Sequence, residues 1–111
     1  MGSFATRQVI LLPFPYSDLS AQKIRPALVL ADAGRGDWLL CQITSNPYAD
    51  PSAVELKEDA FASGSLQRVS YARPGKLFTA HESLFSGIAG GLTKAAHETV
   101  VEAVVSIVRQ G

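Results

Sequence analysis

The sequence predicts a mainly β fold of the α+β kind: a small, strongly bent antiparallel sheet, barrel-like, closed by one helix at the C-terminal end. Short apolar or alternating runs fill the chain up to about residue 80, and glycine, proline and polar residues separate them. Helical spacing of apolar residues appears only in the last segment. Strands first and helix last is the order of such a layer architecture. The 111 residues fit a single domain, 1–111, and a 47% hydrophobic share is enough to fill its core.

Residues 9–14 (VILLPF) form a short continuous apolar run, the pattern of a strand buried on both faces. Residues 15–22 are polar and turn-rich, a loop. Residues 26–30 are a second strand, with Pro26 expected at its start because proline donates nothing to a ladder. Residues 33–37 hold Gly34 and Gly36 and turn the chain into a third strand at 38–44. A loop with Pro47 and Pro51 follows, then a short strand at 53–56. Residues 66–71 alternate as a half-buried strand does. Arg73, Pro74 and Gly75 are expected to bend the chain, 76–79 to be short and extended, and 81–85 to make one helical turn. Gly87, Gly90 and Gly91 are expected to break any regular element. Residues 94–109 read as the long helix, with Val100, Val101, Val104, Ile107 and Val108 at three- and four-residue spacing and Thr93 as N-cap. Valine and isoleucine favour strands, but a strand of such length is unusual.

Formal charge is zero, ten cations against ten anions, which argues against a general nucleic-acid coat protein. The charges are nevertheless unevenly placed. Asp50, Glu55, Glu58 and Asp59 crowd one stretch, whereas residues 60–80 carry Arg68, Arg73 and Lys76 and no acid. With Lys23 and Arg25, these leave room for a local positive groove. The lone cysteine, Cys41, sits in an apolar run and reads as a buried small hydrophobe. His81 and His97 stand apart, so nothing matches metal-ligand spacing, and neither a signal peptide nor a membrane-length apolar run is present. The chain is read as cytoplasmic, with no metal, no cofactor and no membrane partner.

The run from Val9 to Ser20, the Lys23-Ile24-Arg25-Pro26-Ala27-Leu28-Val29 block, the Cys41-Gln42-Ile43-Thr44-Ser45 strand end, residues 66–78 with Ser70-Tyr71 and Arg73-Pro74, and Gly91-Leu92-Thr93 occur in the order found in PemK/MazF toxins. The chain resembles that family over nearly its whole length. The resemblance implies a small SH3-like barrel of the CcdB/PemK type. It also implies a toxin that cleaves single-stranded RNA without metal, a homodimer, and a cognate antitoxin protein as partner. Two departures stand out. Arg7-Gln8 occupies the place of the family's usual Gly-Asp, and Arg68 is followed two residues on by Ser70 where one branch has a carboxylate. The acid–base scheme built on that carboxylate is not carried over.

RNA cleavage of this kind uses the RNA's own 2′-hydroxyl as nucleophile, so the enzyme has to hold the phosphate in line and stabilise its charge. An arginine fork suits a phosphate, and a hydroxyl adds one more donor. Arg25 begins one strand and Thr44-Ser45 ends the next, so an antiparallel pair brings them to one rim. The family's catalytic Arg and Thr match Arg25 and Thr44, and Ser45 is assigned beside them. Asp18, Ser20, Lys23, Gln42, Arg68, Ser70, Tyr71 and Arg73 are assigned to RNA binding, with residues 15–23 as a loop beside the rim. The alternatives are a CcdB-like protein that inhibits DNA gyrase by binding, and a binding module of the same fold that has lost cleavage. Finally, the helix carries more valine and alanine than one apolar stripe needs, which also points to a homodimer.

Overall fold

The structure is a computed structural model and describes residues 4–15 and 22–111. Seven strands, β1 (Gln8–Pro15), β2 (Gln22–Gly34), β3 (Asp37–Thr44), β4 (Val54–Leu56), β5 (Phe61–Gly64), β6 (Ser70–His81) and β7 (Gly87–Leu92), precede one helix, α1 (Lys94–Gln110). They form one antiparallel sheet in the order β4-β6-β3-β2-β1-β7-β5. The two outermost strands are joined by only residues 57–60, which include a 3-10 turn at Glu58–Ala60. So short a link brings the two edges of the sheet together. The sheet is therefore rolled into a nearly closed barrel, as the sequence predicts.

The apolar run of β1 is buried on both faces. Val9 packs into a cluster with Leu28, Cys41, Ile43, Leu56, Ala72 and Leu92, to which α1 contributes Val100. Ile10 and Leu12 point the other way, among Ala27, Val29, Trp38 and Leu40. Aromatic rings cover this second cluster edge to face, Phe4 against Phe85 at 4.9 Å and Phe14 against Phe78 at 5.1 Å. Helix α1 starts where expected: the Thr93 hydroxyl accepts from the Ala96 backbone N–H at 3.1 Å.

Four expectations need correction. Strand β2 begins at Gln22, so Pro26 lies inside it. Pro26 sits one residue beyond Ala27, the last β2 residue paired with β3, so the missing donor falls where that side of β2 is already open. Residues 66–69 are irregular, with Gln67 left-handed at φ 67°, and the strand starts only at Ser70. Arg73-Pro74-Gly75 stays within β6. The turn-forming residues are absorbed as a bulge, where pairing jumps from Ile43↔Ala72 to Cys41↔Leu77. The glycines at 87–91 build β7 rather than end it. A Cβ on Gly90 would meet the Ser63 backbone oxygen, so glycine there permits close approach of β5. Strand β5 itself carries no periodic apolar signal (FASG) and is not legible in sequence.

Candidate RNA-cleaving cleft

Strands β2 and β3 part company at one end. Their ladder stops at Ala27↔Gln42. Beyond it β2 continues alone along β1, through Leu12↔Arg25 and Phe14↔Lys23. Strand β3 continues along β6, through Ile43↔Ala72 and Thr44↔Tyr71. Arg25 and Thr44, each two residues past the last pair on its own strand, fall at matching register positions beyond the fork. The fork opens a cleft of about 300 Å³ whose walls include Lys23, Arg25, Thr44, Ser45, Arg68 and Ser70. Three cations and two hydroxyl-bearing strand ends thus line one cleft, and no carboxylate stands among its described lining residues. In a chain of zero net charge, the described lining of this cleft is positive.

The polar groups are held by the backbone around them. Thr44 is buried, and its Oγ1 accepts from the Asn46 backbone N–H at 3.1 Å. That bond occupies an acceptor site and leaves the hydroxyl proton for another partner. Ser70 is buried too, and its hydroxyl donates to the Arg68 carbonyl at 3.3 Å, which fixes the turn carrying Arg68. Arg25 is half-buried beside the exposed Lys23, and Ser45 and Arg68 are exposed.

Gln42, Tyr71 and Arg73 do not line this cleft. Gln42 borders a separate apolar recess with Phe14, Leu77 and Phe78. Tyr71 lies in the ladder between Thr44 and Glu55. Arg73 donates through Nε to Asp50 at 3.0 Å and lies 5.5 Å from the centre of the Tyr48 ring. The Ser52 backbone N–H, and after it the Arg73 guanidinium, hold the Asp50 carboxyl below its ordinary range. Arg73 is thus a brace between β6 and the 46–53 loop. Sequence alone carries no sign of a partner 23 residues away. Asp18 and Ser20, with most of the expected 15–23 loop, lie outside the described residues.

Cys41 is fully buried, and burial pushes its thiol up to about 12, so it offers no nucleophile. Among the described residues no group of three His, Cys, Asp or Glu side chains is placed to hold a metal ion. No described helix is long and apolar enough to cross a membrane.

Residues 6–108 match the family model of the PemK-like, MazF-like toxin of type II toxin–antitoxin systems. No curated protein matches the sequence. Among solved structures, the chain is similar to a Deinococcus radiodurans MazE–MazF complex at a TM-score of 0.76 and 18% identity, covering 100% of both chains. It is also similar to an endoribonuclease in complex with its cognate antitoxin from a mycobacterial species, at 0.74 and 14% identity over 98% of this chain and 96% of that one. The Mycobacterium tuberculosis toxin MazF-mt6 matches at 0.71 and 17% identity, over 93% and 97%. At these identities the structural likeness speaks for the fold.

Proposed function

Because the chain belongs to the PemK-like, MazF-like toxins of type II toxin–antitoxin systems, we propose that it is an endoribonuclease that cuts single-stranded RNA, mRNA included, at the β2–β3 fork and so inhibits growth. The observation that carries this reading is that Lys23, Arg25 and Arg68 line one cleft together with the buried Thr44. The scissile phosphate sits against the Arg25 guanidinium, whose two parallel N–H groups neutralise its growing charge. The Thr44 hydroxyl, steered by its bond from Asn46, donates to a non-bridging oxygen, and Ser45 stands at the mouth. The 2′-oxygen bonds to phosphorus and gives up its proton. The bond to the 5′-oxygen breaks, and that oxygen takes up a proton. A 2′,3′-cyclic phosphate and a 5′-hydroxyl result, with no metal or cofactor called for. Lys23 and Arg68 hold the flanking backbone, and Ser70 fixes the turn that carries Arg68.

The family and the solved complexes with antitoxin support a cognate antitoxin as protein partner. We assign a twofold homodimer to the surplus apolar surface of α1, where Val105 and Val108 remain exposed. A cleft of cations and hydroxyls has no use in the alternative, a CcdB-like protein that inhibits DNA gyrase by binding alone.

The test is incubation of the purified protein with a long single-stranded RNA in excess chelator. Cleavage leaving cyclic phosphate ends is expected, and Arg25→Ala should lower its rate by about two to three decades. A magnesium requirement, 5′-phosphate ends or an unimpaired Arg25→Ala protein refutes the mechanism. Intact RNA returns the chain to the binding-only readings.

A further inference from the structure

A second cavity adjoins the fork, and Leu66 and Arg68 wall both. Its volume is about 260 Å³. Clefts for drug-sized ligands start at roughly 300 Å³, so this one suits a single planar fragment. Its apolar sides are Leu56, where β4 ends, Phe61, where β5 begins, and Leu66. Leu56 is fully buried, while Phe61 and Leu66 are half-buried and pack on the same core. The apolar walls are therefore fixed by the link that closes the barrel. Polar residues make up the rest of the lining: Lys57, Glu58 from the 3-10 turn, Ser65, Gln67 and Arg68. Gln67 holds a left-handed backbone at φ 67°, and its N–H donates to Ser65 Oγ at 3.3 Å. A non-glycine residue takes that conformation only where its surroundings fix it.

We propose that this cavity is a nucleobase pocket, and that it reads one base of the RNA beside the phosphate held at the fork. The inference rests on the endoribonuclease reading and deepens it. A base has an apolar face and a hydrogen-bonding edge, and the cavity offers apolar walls with a donor–acceptor rim. Arg68 stands between the two sites, where a guanidinium reaches the phosphate that links a bound base to the scissile one. A carboxylate accepts hydrogen bonds and a cation donates them, so Glu58 suits the N–H donors of a base edge while Lys57 and Arg68 suit its acceptors. An apolar side chain of a protein partner also fits the walls but leaves the Glu58–Gln67 rim unused.

The experiment maps cut sites and measures kcat and KM for the wild type, Gln67→Gly and Glu58→Gln on a library of single-stranded RNAs in chelator. Glycine accepts the left-handed backbone, and Glu58 is exposed, so both variants should keep the fold. The expected result is a base preference at one position next to the cut, lowered about tenfold or more in both variants. A minimal substrate lacking that neighbouring base should be cut equally by all three. Wild-type cleavage with the same preference and KM in both variants overturns the pocket while leaving the endoribonuclease reading intact. So does a loss confined to antitoxin binding. A wild type that cuts no RNA overturns both.

Discussion

At the scale of single residues, the proposed chemistry depends on where one hydroxyl proton points. Thr44 Oγ1 receives the Asn46 N–H, and Asn46 Oδ1 in turn accepts from the Tyr48 N–H at 2.9 Å. The loop so formed is clamped by Asp50 to Arg73 on β6. Thr44→Val keeps the shape and removes the donor, so kcat is expected to fall by about one to two decades, whereas Thr44→Ser retains most of it. Steady-state kinetics of the two variants check this, and equal rates would return Thr44 to a packing role. Arg25 and Thr44 were legible because sequence places them at opposite ends of adjacent strands. Arg73 was misleading: its position among basic residues suggested RNA, but a loop acid distant in sequence occupies it.

At the scale of elements, apolar continuity identified β1 and β3, and helical spacing identified α1. What sequence could not show are elements set by contact rather than by pattern. Strand β7 is rich in glycine because β5 lies against it, a reason visible only once both are in place. Substituting Gly90→Ala should destabilise the protein by about 1–3 kcal/mol, since the new carbon meets backbone that has no room to yield. Gly87→Ala meets nothing within 4 Å and should be nearly neutral. Urea titrations of the pair test the contrast, and equal midpoints would mean that β5 and β7 move apart freely. On α1, His97 Nδ1 is buried without a hydrogen-bond partner among the described residues. Burial, followed by the nearby Arg7, lowers its pKa from the ordinary 6.5, against a smaller upward pull from Glu98. The folded protein therefore favours the neutral ring. Its contribution to stability is complete above pH 6.5 and is lost as pH falls through the lowered value. The melting temperature of wild type should fall more steeply between about pH 7 and 5 than that of His97→Gln. Parallel curves would show that the ring does not titrate against the fold.

At the scale of the whole molecule, the packing of the barrel leaves apolar residues of α1 uncovered. Val105 is 39% and Val108 69% exposed on a helix whose Val100 is fully buried. A self-complementary patch on a twofold axis covers such residues once on each subunit. Sedimentation equilibrium at micromolar concentration should give twice the single-chain 11.8 kDa. Val105→Glu should shift the mass towards one chain if the seam runs there. A wild-type mass of 11.8 kDa would remove the dimer from the proposal.

Closure of the barrel also has a timetable. Strand β1 ends at residue 15, yet the strand that covers its outer edge, β7, ends at residue 92. At roughly 5–20 residues per second of synthesis, the intervening 77 residues take about 4–15 s. Throughout that interval a nascent chain presents a hydrophobic strand with one side unpaired, open to neighbours on the same polysome. Pro13 and Pro15, which lie beyond the stretch that β7 will pair, interrupt that edge with positions that cannot donate. They act as gatekeepers, limiting how far a stray strand can zip along β1 before its own partner arrives.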